Sequence, residues 1–228
     1  MKGILREEAR LLGLSLSEEQ LAQCERFSDA LLEKNKVMNL TAITEPEAVA
    51  RLHFADCLAL LTVEEFRGRR VIDVGCGAGF PGVPLKLGEP TIELTLLDSL
   101  QKRVNWLRET LQALAVPAEC VAARAEEYGH REEFDIAVSR AVARLNVLCE
   151  LCLPFVKVGG CFIAMKAASA QEEIDEAKRA VSLLGGKVER VVSYSIGEAE
   201  HRAVVIRKLR PTPAAYPRRF SKIKQSPL

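Results

Sequence analysis

"VIDVGCGAGFPG", Val71 to Gly82, runs from an apolar stretch into eight residues of which four are glycine. The first four residues read as a buried strand and the glycines as the turn that follows it. Two spacings overlap in that turn. From Gly77 it is G-x-G-x-x-G (Gly77, Gly79, Gly82), the dinucleotide fingerprint. From Asp73 it is an acid followed by G-x-G-x-G (Gly75, Gly77, Gly79), the pattern associated with S-adenosylmethionine. A ligand-free tight turn is the third reading, but each glycine loses about 0.5–1 kcal/mol against alanine through entropy, so four of them are a costly way to turn once.

Downstream of this stretch, short apolar runs alternate with helical patterns. IELTLLD precedes SLQKRVNWLRETLQAL, ECVAA precedes a short polar link, and FDIAVS precedes RAVARLNVLCELCLPFV. CFIAMK precedes the charged helix ASAQEEIDEAKRAVSLLG. This alternation predicts a mainly parallel sheet with crossover helices. KVERVVSYSI and HRAVVIRKL follow each other with only GEAE between them, which predicts an antiparallel hairpin at one edge. Upstream, residues 1 to about 65 carry helical periodicity, with Ser15 or Ser17 as one N-cap and Thr44, ahead of Pro46, as another. Asn39 and Thr41 suit the turn between these helices.

The 228 residues, 48% hydrophobic and 28% charged, suffice for one generous domain with an attachment. No run approaches the roughly 18 apolar residues of a membrane span, and charges interrupt the apolar positions of MKGILREEARLLG, so neither a span nor a signal peptide is expected. A cytoplasmic protein is the expectation. Seven cysteines without repeated pairing argue against a disulfide framework. Cys149 and Cys152 form a C-x-x-C with no second pair or histidine at metal-ligand spacing, so they read as core residues and no metal site is expected. The net charge of +1 hides an asymmetry. From Arg202 onward there are eight Lys/Arg and no Asp/Glu, leaving 24 basic against 31 acidic residues before it. Such an arm is a phosphate-binding element or a solvated tail.

Both glycine readings want an acid at the end of the second strand for ribose hydroxyls, and Asp98 lies 21 residues past Gly77 and 23 past Gly75. Three features favour S-adenosylmethionine. Asp73 suits a cationic sulfonium and its amino acid moiety better than a pyrophosphate, which it would repel. Pro81 removes an N–H donor from the helix start on which a pyrophosphate would rest. The chain ends in a hairpin where a dinucleotide fold expects a second parallel half.

Motifs distributed along nearly the whole chain resemble those of the bacterial small-subunit ribosomal RNA guanine-N7 methyltransferases, the RsmG (GidB) family. They are NLTAIT (Asn39–Thr44), RLHFADCL (Arg51–Leu58), VIDVGCGAGFPGVPL (Val71–Leu85), LLDSLQKRVNWL (Leu96–Leu107), ARAEEY (Ala123–Tyr128), FDIAVSRAVA (Phe134–Ala143), GGCFIAMK (Gly159–Lys166) and YPRRFSKIKQSPL (Tyr216–Leu228). The resemblance implies an α/β fold, a seven-stranded Rossmann-like S-adenosylmethionine-dependent methyltransferase fold with an N-terminal helical extension. It divides the chain into that extension (1–65), a methyltransferase domain (66–210) and a basic C-terminal tail (211–228). It further implies methyl transfer from S-adenosylmethionine to N7 of one guanine in 16S rRNA, on the naked RNA or within the small ribosomal subunit, with no membrane and no protein partner required. Carried over by position, Gly75, Cys76, Gly77 and Phe80 line the cofactor pocket, Asp98, Ser99 and Leu100 meet the ribose side, and Ala125 and Glu126 lie by the adenine. Arg140 borders both the cofactor and the methyl-transfer site and is the catalytic candidate. The tail departs from the frequent family ending at Phe220-Ser221, where a Pro-Gly often follows the basic pair.

Guanine N7 carries a lone pair and no proton, so attack on a sulfonium methyl needs positioning and no general base. The chain has no Pro-Cys dyad for attack on pyrimidine carbon, and Ser139-Arg140-Ala141 stands where adenine-N6 enzymes carry an Asp/Asn-Pro-Pro-aromatic motif. A hydrogen bond donated to N7 would occupy the nucleophilic lone pair, so Arg140 is expected to hold a cofactor carboxylate, a phosphate, or guanine O6 alone. Arg124, Lys166, Arg218, Arg219 and Lys222 are the candidate RNA contacts, each of which also reads as an ordinary surface charge. Tyr216 and Phe220 either stack on an unpaired base or pin the arm. His53 reads as a packed histidine or as a contact to RNA or between domains. The rival functions are a methyltransferase for a small molecule or protein, a dehydrogenase, and a non-catalytic RNA-binding module; the uncompensated basic arm separates the first of these from the reading above.

Overall fold

The computed structural model describes residues 1–140 and 143–228, so the Ala141-Val142 portion of the FDIAVSRAVA motif lies outside the described residues. The strands are β1 (Arg70–Val74), β2 (Glu93–Asp98), β3 (Glu119–Ala122), β4 (Phe134–Arg140), β5 (Val156–Ala167), β6 (Gly186–Ile196) and β7 (Ala199–Lys208). They form one sheet in the order β3-β2-β1-β4-β5-β7-β6. β1 to β5 pair in parallel, and β7 is antiparallel to both β5 and β6. The expected hairpin is therefore present, closed by Gly197-Glu198, with β6 at the edge and β7 inserted beside β5. From β1 the chain runs outward to β3 and then crosses back to β4, so the strand order switches between β1 and β4. Open α/β sheets bind ligands at that switch.

Helices α1 (Lys2–Leu11) and α2 (Glu18–Met38) come first. One continuous rod then runs through α3 (Pro46–Ala48), a π-helical stretch (Val49–Ala55), α4 (Asp56–Leu58) and a 3₁₀ turn (Ala59–Thr62). After β1 come α5 (Gly82–Gly88), α6 (Gln101–Ala113), α7 (Leu145–Cys152), α8 (Gln171–Leu183) and the terminal α9 (Phe220–Gln225). Ser17 is the N-cap of α2 and forms a reciprocal capping box with Gln20, an arrangement worth about 1 kcal/mol against alanine. Thr44, expected to cap the rod, does not. The extended residue before Pro46 is Glu45, and no side chain caps that end. Asn39, in the left-handed conformation at φ 50°, terminates α2 as expected of a turn asparagine.

The two faces of the sheet bury different layers because side chains alternate along each strand. Val71, Ile136, Val138, Cys161, Ile163, Ala203 and Val205 face one cluster with Leu5, Phe27, Phe54, Leu85 and Leu107, so the N-terminal helices share one core with the sheet. Ile72, Ala137, Phe162, Ala164, Val204 and Ile206 face the other, with Leu148, Ile174, Val181 and Ile223. Six cysteines are buried in these layers and Cys120 is half-buried; all seven are free thiols. Among the described residues no helix is long and apolar enough to cross a membrane.

Candidate active site

The glycine turn leaves the carboxyl end of β1 and returns into α5. Gly75, Gly77 and Gly79 all have positive φ, 75°, 55° and 94°, which side chains rarely adopt. They face different ways. A Cβ on Gly77 would meet nothing nearer than the Gly75 carbonyl at 4.0 Å, so this backbone borders open space. A Cβ on Gly79 would lie 2.8 Å from Val83, 2.9 Å from Leu107 and 3.2 Å from Phe27, so Gly79 faces the core.

A cleft of about 460 Å³ opens on the Gly77 side, well within the range that holds small-molecule ligands. Gly75, Cys76, Gly77 and Phe80 from the turn, Asp98, Ser99 and Leu100 after β2, and Arg140 ending β4 all line it. A second lobe of about 280 Å³ shares Gly75, Asp98 and Ser99 with the first and adds Ala125 and Glu126. All ten residues expected at a cofactor pocket thus meet in one bilobed cleft at the switch in strand order. The lobes differ in chemistry. The first carries His53, Thr41, Arg103 and Arg140; the second is walled by Val74, Leu97, Ala123, Leu151 and Phe220.

Asp98 shapes the junction. Its Oδ2 accepts the Gly77 N–H at 2.9 Å and its Oδ1 the Leu100 N–H at 2.8 Å, and each oxygen keeps a further lone pair for a ligand hydroxyl. Asp73 is a correction. It was expected beside a sulfonium, but it is fully buried beneath the turn, where its Oδ2 accepts the Gly82 N–H at 2.7 Å. Burial pushes its carboxyl up to about 7, against the Gly82 hydrogen bond and the nearby Arg140 charge. The start of α5 is thereby engaged by a protein carboxylate, at the place where a pyrophosphate would rest. Together with Gly79 facing the core, this removes the dinucleotide reading.

Arg140 organises the first lobe. Its Nη1 donates to Leu52 O at 3.0 Å and to Asp56 Oδ2 at 3.1 Å, and its Nη2 donates to His53 Nδ1 at 3.1 Å. Its guanidinium lies 5.2 Å from the centre of the Phe80 ring, on which His53 also stacks at 4.6 Å. The carboxylate that Arg140 holds is therefore the protein's own, Asp56, which also accepts from Tyr194 Oη at 2.9 Å. Because arginine only donates, His53 Nδ1 accepts, and the proton of the neutral ring sits on Nε2 and points to Thr41 Oγ1 at 2.8 Å. Burial and the adjacent guanidinium push the imidazole down to about 4. Leu52 and His53 both lie in the π-helical stretch, a distortion that recurs at functional sites. Phe27 ties this lobe to the N-terminal helices, with ring centres 6.3, 6.0 and 5.9 Å from Phe54, Phe80 and Trp106.

The family model described as rRNA small subunit methyltransferase G (GidB) matches residues 20–204. The chain belongs to that family. The curated protein named ribosomal RNA small subunit methyltransferase G of Acetivibrio thermocellus is 43% identical over 100% of this chain and 97% of its own length. Its namesake from Alkaliphilus metalliredigens is 46% identical over 96% and 95%. Among solved structures, a SAM-dependent methyltransferase from Aquifex aeolicus aligns with a TM-score of 0.55 at 17% identity, covering 77% of this chain and 97% of that one. The magnesium protoporphyrin IX methyltransferase of Synechocystis with bound SAM gives 0.55 at 12% identity, covering 79% and 97%. At those identities the likeness is one of fold, the seven-stranded methyltransferase fold.

For a member of this family, the candidate RNA contacts fall into two groups. Arg219, just before α9, and Lys222 on it are exposed, as is Arg124, which pairs with Glu126 at 2.8 Å and lies 4.8 Å over the Phe220 ring. Lys166 and Arg218, expected either as phosphate contacts or as ordinary surface charges, are engaged internally. Lys166 donates to Ala143 O at 2.8 Å and pairs with Glu173 at 2.6 Å. Arg218 makes a two-pronged contact to Glu150, at 2.8 and 2.6 Å, and Glu150 is fully buried. Sequence reasoning missed Arg103 as a lining residue. A cation in the first turn of α6 opposes the helix dipole, and that mismatch is the signal that could have found it.

Proposed function

We propose that the protein transfers the methyl group of S-adenosylmethionine to N7 of one guanine in 16S rRNA, in the cytoplasm where ribosomal subunits assemble. The observation that carries this reading is the bilobed cleft at the end of β1, with a carboxylate, Asp98, at its waist, a mostly apolar lobe on one side and an arginine-organised polar lobe on the other. The residues fit the donor. The second lobe suits an adenine ring, Asp98 a ribose, and the open backbone at Gly77 a close approach by the donor's amino acid portion. When bound, the donor supplies a methyl group on a cationic sulfur that leaves as a neutral thioether.

The chain's own residues position and exclude. Phe80 and His53, stacked together, present a flat wall to the first lobe, and Arg140 fixes both. His53 is unsuited to act as a base, since Nδ1 is occupied by Arg140 and Nε2–H by Thr41. That suits N7 as acceptor, whose lone pair attacks without losing a proton. With the donor held by Asp98 and the glycine turn, its methyl would pass to N7 as the bond to sulfur breaks, and the base would leave with the positive charge that the sulfur brought. The exposed cations of the tail, Arg219, Lys222 and Lys224, with Arg124 beside them, supply the phosphate contacts that an RNA substrate requires.

The test is incubation with labelled donor and with small subunits, or deproteinised rRNA, from a strain lacking this modification, followed by mapping of the modified nucleotide. Label at a single guanine, sensitive to cleavage chemistry at N7, is the expected result. Label elsewhere, or none with a correctly folded protein, removes the reading.

A further inference from the structure

The tail carries candidate RNA contacts, and Phe220 reads from the sequence either as stacking on a base or as pinning the arm; in the structure its side chain faces inward. Phe220 lines the second lobe of the cleft together with Val74, Gly75, Ala125 and Leu151. It is the first residue of α9, which is held against α7 from both sides of that ring. On one side the buried Glu150 takes the Arg218 guanidinium and also the Arg218 backbone N–H at 2.9 Å. On the other, Ile223 is wholly buried against the α7 layer. A fully buried carboxylate is retained only where its partner is fixed, because an unpaired one would be strongly destabilising. Glu150 therefore anchors the tail at this place. The Arg124 guanidinium, which also lines this lobe, lies 4.8 Å over the Phe220 ring, and Arg219, just before α9, and Lys222 on it are exposed.

We infer that the C-terminal tail completes the donor-binding site: Phe220 forms a wall of the adenine lobe, the Glu150–Arg218 pair holds it there, and donor binding and tail docking strengthen each other. The inference rests on the proposed donor. An adenine in the second lobe gains the face or edge of an aromatic ring, and the ring gains a partner that fixes α9. By linkage, whatever grips the exposed cations of α9 in its docked position raises donor affinity by the same factor by which donor raises its own. The basic arm is then more than an electrostatic handle, since RNA on its outer face and donor on its inner face stabilise one conformation.

The experiment measures binding of S-adenosylhomocysteine and of 5′-methylthioadenosine, which keeps the adenine and lacks the amino acid, by calorimetry on the full chain. It uses wild type, Phe220→Ala, Phe220→Leu and Glu150→Gln. Phe220→Ala is expected to weaken both ligands by about tenfold, within the range found when an aromatic stacking partner is removed. Phe220→Leu, which retains apolar bulk and keeps the inference testable if the alanine variant folds poorly, weakens both by a smaller factor. Glu150→Gln weakens both while leaving the lobe's own side chains intact. Limited trypsin digestion gives the second readout: S-adenosylhomocysteine slows cleavage after Arg219 and Lys222 in wild type and protects much less in Phe220→Ala. Wild-type affinities in all variants, or tail cleavage indifferent to ligand, overturn the inference and leave the donor assignment standing. Failure of wild type to bind either ligand removes the donor assignment and the inference together.

Discussion

Arg140 holds three protein partners in three directions, Leu52 O, Asp56 and His53, while packing over Phe80. A lysine keeps the charge and loses the planar fork, so it reaches at most part of that set. Arg140→Lys is expected to remain folded and to lose both donor affinity and turnover, by about tenfold or more in kcat/KM, equivalent to about 1.4 kcal/mol. Full turnover with wild-type donor affinity in that variant would remove Arg140 from the active site. His53 makes a prediction about pH. Its imidazole is pushed down to about 4 in the folded protein, against an ordinary value of about 6.5. Between those values the unfolded chain binds more protons than the folded one, so stability falls as pH drops through that window, by at most roughly 3 kcal/mol. Asp73, pushed up to about 7, acts in the opposite sense and loses stability as pH rises from the ordinary carboxylate range toward that value. Comparing wild type with His53→Gln by denaturation across that window cancels the Asp73 contribution. The wild type should lose stability relative to the variant as pH falls from about 6.5 to about 4, and a constant difference would mean that folding does not lower the affinity of His53 for a proton.

At the level of elements, the turn after β1 separates two kinds of glycine. Gly79→Ala drives a Cβ into Val83 and Leu107 at a φ of 94°, so it should destabilise by about 2 kcal/mol or more. Gly77→Ala points its methyl into the cleft. It should carry only the backbone penalty of about 1 kcal/mol, while donor affinity drops further than in the first variant. Thermal melting and donor titration on the pair check this, and equal effects on both quantities would mean that the two glycines share one role. Much of this region was legible in the sequence because its signals are local. Apolar runs alternated with helical periods, and an acid closed the second strand where the glycine spacing wanted one. The direction of Asp73 was not legible. It is set by the Gly82 N–H nine residues later and by the layers above it, and no spacing encodes whether a carboxylate faces a cleft or a helix end. The missing Thr44 cap has the same origin, since Pro46 already fixes that helix start.

Across the whole molecule, one sheet carries the N-terminal helices on one face and the C-terminal tail on the other, and both reach the cleft: Leu40, Thr41 and His53 line the first lobe and Phe220 the second. The charge asymmetry of the chain was readable from composition, but which cations remain available was not. Arg218 meets Glu150 across 68 residues, and Lys166 meets Glu173 from another element. The salt dependence of RNA binding should follow the structure in this respect. Neutralising Arg219, Lys222 or Lys224 singly should each flatten the slope of log affinity against log salt by about 0.7–0.9. Arg218→Met should chiefly lower stability, because it strands a buried carboxylate. Identical slopes in all variants would assign the tail to packing alone. The cysteines carry a last consequence. Six of the seven thiols are enclosed in the two layers, and burial pushes Cys24 and Cys161 up to about 12 and raises Cys57, Cys76, Cys149 and Cys152 well above the ordinary thiol range. Thiolate is the form that alkylating reagents and oxidants attack. These six thiols are therefore chemically quiet in the native protein, and the pace at which they become reactive is a clock for how often its interior opens to water.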